Sequence, residues 1–239
     1  MFAALTFAMT LLPMMAPIDD LKIEDVKPGD GVAVKQFDVI EVQYVGTLTD
    51  GKEFDSSTKH DKAFRFQVGI GQVIKGWDQG VIGMKAGGER NLTVPPELAY
   101  GDQAVGDVIP AKSTLKFNVK IVRIVPSAKV EVETPGTGDP IKLGDILDCK
   151  ISIKLPDGKE LADPTKVTPV QLSPRVIPGF NQALAGIKVG EKRKVTVGYE
   201  LAFGEKGIPA VDQGDQKAGS VVPPKADLTF EIEALKFHS

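Results

Sequence analysis

The chain has 239 residues, and 29 Lys and Arg against 32 Asp and Glu give a formal charge of −3. That length suits one or two domains of about 150 residues, and the mildly acidic balance lacks the basic footprint of a nucleic-acid binder. A single cysteine (Cys149) and two histidines (His60 and His238) exclude an intrachain disulfide and a CxxC metal site, and are too few for a zinc site of the usual kind. No GxxxxGK[ST] or GxGxxG string opens a helix. The expected chemistry therefore uses no nucleotide, metal, other cofactor or covalent intermediate.

From the amino terminus, residues 2–16 read FAALTFAMTLLPMMA without a charge, ahead of Pro17 and Asp19-Asp20. Fifteen residues fall short of the roughly 20 that a spanning helix needs, and Pro13 would interrupt one, so no stable membrane span is expected. The length fits the apolar stretch of a secretory signal peptide, with Ala16 as the small residue at the cut. Residues 1–17 then read as an export signal, which places the protein in a periplasm or cell envelope. No Lys or Arg precedes the run, and Pro17 is a poor residue after a cut. The other reading is an apolar arm packed on the body of a cytoplasmic protein.

Residues 39–45 (VIEVQYV) alternate and are β-branched, which predicts a strand, and Thr49-Asp50-Gly51-Lys52 predicts the hairpin turn after it. Residues 64–68 (FRFQV) alternate again. Trp77, Val81 and Met84 fall at i, i+4 and i+7 between Gly76 and Gly87-Gly88, predicting one short helix with a buried stripe. Residues 91–94 and 115–122 predict further strands. Residues 72–101 and 175–204 then align without a gap at an offset of 103, with 14 of 30 positions identical. The string DGKE at Asp50 recurs at Asp157, and Phe180, Leu184 and Ile187 repeat the helical stripe. A repeat this long marks two tandem domains rather than a solenoid. With residues 125–129 (VPSAK) as linker, the domains are expected over 18–125 and 129–239. Each is expected to be α+β: a curved antiparallel sheet, or half-barrel, wrapped around one short helix.

Seven strings in order, YVGTL at Tyr44, DGKEFDSS at Asp50, FRF at Phe64, VIKGWD at Val73, MKAG at Met84, LAYG at Leu98 and VIPA at Val108, resemble the FKBP-type peptidyl-prolyl isomerases. The likeness runs from about residue 22 to residue 124. It implies a pocket with Trp77 as floor and Tyr44, Phe64, Val73, Ile74 and Phe117 as walls, with Phe54 beside them and Val108 and Ile109 on the loop after Tyr100. It also implies that the Ile74 N–H and the Tyr100 hydroxyl hold a substrate or macrolide carbonyl, with the Asp55 carboxylate beside them. The implied catalytic set is Tyr44, Asp55, Ile74, Trp77 and Tyr100. The implied partners are proline-containing polypeptide clients and macrolide inhibitors.

That residue set suits the chemistry. Rotating an X–Pro amide has a barrier of about 20 kcal/mol, because resonance is lost midway. The twisted amide is less dipolar than the planar one, so an apolar cleft with a few fixed donors favours it. Bland readings stand beside several of these residues: Phe66 as ordinary core, Asp55 as a turn cap with Ser56 and Ser57, and His60 as a solvated loop residue.

The second copy keeps an apolar frame (Val176, Ile177, Phe180, Phe203, Val222, Phe230) but loses the polar handles. Alignment through the DGKE turn puts Ile151 at the Tyr44 position, Leu161-Ala162 at Phe54-Asp55 and Thr168 near Phe64, while Phe203 stands for Tyr100. Asp163 lies one residue off register, where a strand points its side chain elsewhere. The polar, glycine-rich loop from Phe203 to Val221 reads as a mobile lip. The expectation is a tandem isomerase that assists protein folding, with catalysis in the first domain and a degenerate second domain. The alternative is a non-enzymatic chaperone or scaffold that grips extended segments in its grooves.

Overall fold

The computed structural model describes residues 21–60, 62–209, 211–213, 216–218 and 222–238. The export reading of residues 1–17 lies outside the described residues, as does part of the loop read as a lip. Among the described residues no helix is long and apolar enough to cross a membrane.

The first half runs β1 (Lys22–Lys27), β2 (Asp30–Ala33), β3 (Val39–Leu48), β4 (Glu53–Ser56), β5 (Phe64–Gln67), α1 (Lys75–Gly80), β6 (Lys85–Ala86), β7 (Glu89–Val94) and β8 (Leu115–Ile124). The second runs β9 (Lys129–Thr134), β10 (Leu147–Lys154), β11 (Val167–Val170), α2 (Pro178–Leu184), β12 (Lys192–Val197), β13 (Val211–Gln213), β14 (Gln216–Ala218) and β15 (Leu228–Phe237). Each half is an antiparallel sheet with a short helix, the tandem α+β arrangement expected from the repeat. The first sheet has the order β1-β7-β8-β3-β4, with β5 also on β3, and the second the order β11-β10-β15-β12-β9. Strand β3 serves two partners: residues 39–42 pair with β5 and residues 45–47 with β4.

Period-two alternation sets which face each long strand buries. In β8, Leu115, Val119 and Ile121 are fully buried, and in β15 Leu228, Phe230, Ile232 and Ala234 repeat the pattern. Burying each larger apolar side chain contributes roughly 1.5–3 kcal/mol. The helices lie so close to the sheets that only glycine fits at the contact. A Cβ at Gly76 would collide with the Val94 side chain, and one at Gly179 with that of Val197. The stripe Trp77, Val81, Met84 is buried as expected, but α1 stops at Gly80, and Val81 and Met84 pack from the turns that follow.

One arginine per copy closes the helix end, where backbone carbonyls lack helical partners. Arg90 Nη1 donates to the carbonyls of Gly80 (2.7 Å) and Ile82 (3.0 Å), and Arg193 Nη1 to those of Ala183 and Ala185 (3.0 Å each). The linker is packed. Val125 joins Val39 in the second domain's core, and Ala128 N–H donates to Gln182 Oε1 at 2.7 Å.

Candidate active site

Four strands, α1 and two loops converge on one cavity of about 250 Å³. Strand β3 brings Tyr44, β4 brings Phe54 and Asp55, β5 brings Phe64 and β8 brings Phe117; Ile74 and Trp77 come with α1. Trp77, 4% exposed, forms the floor. Its ring centroid lies 5.1 Å from Tyr44, 5.3 Å from Phe117 and 6.0 Å from Phe64, all edge-on. Edge-on pairs add about 0.5–1.5 kcal/mol beyond area burial and hold the rings at fixed angles. Phe66 packs on the floor from outside the cavity, buried at 5.7 Å from Trp77. Gly46 is required by the wall: a Cβ there would sit 2.7 Å from the Phe54 ring and 3.0 Å from Phe117.

The polar groups are few and tied. Tyr44 donates its hydroxyl to Asp55 Oδ2 at 2.6 Å, and Asp55 Oδ1 accepts from Ser56 N–H at 2.8 Å. His60 Nε2 lies 3.1 Å from the same Oδ1. Burial pushes the Asp55 carboxyl up, but the bonds from Tyr44, His60 and Ser56 outweigh it and hold the group below the usual aspartate range. The Tyr44 hydroxyl is pushed well above the usual tyrosine range by burial and then by Asp55. Burial and the Asp55 charge raise the Tyr100 hydroxyl as well. The Ile74 N–H makes no hydrogen bond among the described residues, and Trp77 Nε1 is buried without a partner. Tyr100 is 42% exposed at the mouth.

The depressed Asp55 carboxyl fixes the sign of an acid effect. Its contribution to stability is complete above the ordinary value of 3.8 and is lost as pH falls through the lower folded-state value. Acid titration of Trp77 emission is expected to show a transition beginning below about pH 4, and Asp55→Asn removes it.

The structure gathers nine of the eleven residues that the sequence nominated and leaves out two. Val108 is 44% exposed on its loop, while Ile109, 4% exposed, packs into the core instead. The cause is a β-bridge between Val105 and Ile109 that folds the loop back on itself. Two residues outside that set of eleven also reach the site. Gln72 lines the cavity, with its Oε1 accepting the Gln67 N–H at 2.8 Å. His60 is brought onto Asp55 by the 3-10 turn Ser57–His60 rather than left to solvent alone. A five-residue separation through an irregular turn has no sequence period to announce it.

The second copy builds a cavity of about 330 Å³ from Ile153, Leu161, Ile177, Phe180, Phe203 and Phe230, among other apolar side chains. Sheet register confirms the substitutions. Ile151 pairs with Ile232 where Tyr44 pairs with Val119, and Thr168 pairs with Cys149 where Phe64 pairs with Val42. Asp163 turns away to accept from Thr165, at 2.9 Å from its N–H and 2.7 Å from its hydroxyl. Among the described residues, no carboxylate or hydroxyl side chain lines this second cavity.

The family described as FKBP-type peptidyl-prolyl cis-trans isomerase matches residues 31–122 and again residues 138–235. The chain belongs to this family. Peptidyl-prolyl cis-trans isomerase FKBP10 of Bos taurus is 32% identical over 249 residues, covering 99% of this chain and 41% of that protein. FK506-binding protein 1A of Neurospora crassa is 49% identical over 108 residues, covering 45% of this chain and 90% of that protein. FkpA from Escherichia coli matches with 42% identity and a TM-score of 0.41, over 44% of this chain and 48% of that one. The chain spans about two fifths of the FKBP10 relative. Among the described residues, this FKBP-family chain carries one copy with polar handles in its cavity and one without.

Proposed function

We propose that the first domain, taken as residues 18–125, is a peptidyl-prolyl cis-trans isomerase that acts on proline-containing polypeptides and so assists their folding. The observation that carries this reading is the Tyr44–Asp55 clamp beside the unpaired Ile74 N–H, in a cavity otherwise lined by aromatic rings. The prolyl ring rests on Trp77 between Tyr44, Phe54, Phe64, Val73 and Phe117. Ile74 N–H and the Tyr100 hydroxyl hold the carbonyl oxygen. With water displaced, the less dipolar twisted amide is favoured over the planar one, and no bond is made or broken. Asp55 acts by fixing Tyr44 and by giving the site one oriented negative charge. The FK506-binding relative supports competition by a macrolide for the same cavity.

The second domain, taken as residues 129–239, binds apolar segments without turning them over. The apolar lining of its cavity among the described residues favours that reading. A protease-coupled assay on a proline tetrapeptide tests both halves in the full chain. Turnover that a macrolide inhibits is expected. Tyr100→Phe lowers kcat/KM about tenfold, the equivalent of one hydrogen bond, and Asp55→Val combined with it leaves only background rate. A double variant that keeps most of the turnover would assign catalysis to the second domain as well. A wild type that suppresses aggregation without isomerising any X–Pro peptide would leave the chain a binding scaffold.

A further inference from the structure

Strand β5 is a wall with two different faces. Phe64 lines the cavity and Phe66 packs on Trp77. Alternation puts Arg65 and Gln67 on the other side, and there both meet the second domain. Arg65 Nη2 donates to the Glu200 carbonyl at 2.6 Å. Gln67, 1% exposed, donates Nε2 to the carbonyls of Phe37 (2.8 Å) and Pro178 (3.0 Å) and accepts from Asn181 Nδ2 at 2.7 Å. Its main-chain N–H is the one held by Gln72, next to Val73 and Ile74 in the cavity lining.

Asn181 is fully buried and stands where the first copy has Asp78. Asp78 only accepts, from Gly69 N–H at 2.8 Å and Gly71 N–H at 3.0 Å. Asn181 accepts from Ser173 N–H in the same way, at 3.0 Å, but also donates to Gln67 Oε1. A carboxylate has no proton to give that oxygen, so the copy that touches the other domain carries the amide. Phe37, a non-glycine residue at φ 70, presents its carbonyl to the Gln67 and Gln182 amides together. Such a conformation persists only where its surroundings enforce it.

We infer that Asn181 of the second domain is a positioning residue for the first domain's cavity, acting through Gln67 on β5 and through Gln72 on residues 72–74. Its kinetic expression rests on the isomerase reading of that cavity; its spectroscopic expression does not. Trp77 is the only tryptophan, so its emission reports the cavity floor.

The test uses the full chain with Asn181→Leu, which removes the donor at similar volume, and Arg123→Met, which breaks the interdomain pair with Glu200 (2.8 Å) and touches neither Gln67 nor Phe37. Asn181→Leu is expected to shift Trp77 emission and to raise the tetrapeptide KM about threefold or more with kcat within about twofold, while Arg123→Met moves neither. Should Asn181→Leu fail to fold, Gln67→Leu removes the same bond from the other side and carries the same expectation. Unchanged emission and KM in the folded Asn181 or Gln67 variants, or an equal response to Arg123→Met, would overturn the inference. A wild type without turnover would overturn the isomerase reading alone, and the emission comparison would still decide this one.

Discussion

Replacing Trp77 by alanine is expected to cost about 3–5 kcal/mol of stability and to abolish turnover. The indole touches the rings of Tyr44, Phe64, Phe66 and Phe117, so its removal leaves four aromatic walls without the surface that sets their angles. The new void also opens into the existing cavity, so the walls can collapse across the place where a prolyl ring would sit. Trp77→Phe is expected to lose much less. Nε1 is buried without a partner among the described residues, so the smaller ring gives up no hydrogen bond. The second copy already uses Phe180 at this position, packed 5.6 Å from Phe230. Urea unfolding of the two variants checks the order; equal losses would show that a phenyl ring cannot stand in for the indole as the floor.

Breaking the buried ion pair of the second domain should be nearly as damaging. Arg193 and Glu191 have side chains only 5% and 6% exposed. Arg193→Met leaves the Glu191 carboxylate without its guanidinium and strips the carbonyls of Ala183 and Ala185 of their donor. A buried pair broken on one side costs about 3–5 kcal/mol. The repeat supplies its own control. Arg90 makes the matching bonds in the first domain, but its carboxylate partner Asp25 is 64% exposed and regains water when the arginine is gone. Arg90→Met should therefore cost about 1–3 kcal/mol, mainly for the orphaned carbonyls. Denaturant midpoints of the two variants compare them directly, and equal midpoint shifts would contradict the burial argument.

Much of this molecule is legible in its sequence because its determinants are local or periodic. Alternation in residues 39–45 and 115–122 marks two long strands, and the fixed offset marks the duplication. The DGKE turn is rigid enough to carry the alignment to Ile151 and Thr168, where the sheet register agrees. The nine gathered site residues lie on these regular elements or directly beside them. What the sequence hides are side chains whose partners are distant in the chain and have no period. Ile109 turns inward because of one bridge within its loop. His60 reaches Asp55 only through the geometry of a single turn. Gln67, Asn181 and Gln182 carry no sequence signal of burial, yet each is buried with its amide bonded across the two domains. A buried amide is stable only if its partners are present, and the partners across the two domains lie more than 100 positions away: Gln67 and Asn181 are 114 positions apart.

The border between the two repeats exists in the sequence but not in the packing. Val125, 1% exposed, and Val39 belong to the core of the second domain, although the chain that carries Val39 is part of the first sheet. Severing the chain between residues 125 and 129 would leave each half with a raw apolar scar that the intact protein never shows to water. Constants measured on such halves would describe two damaged objects, and their sum would not reconstruct the whole.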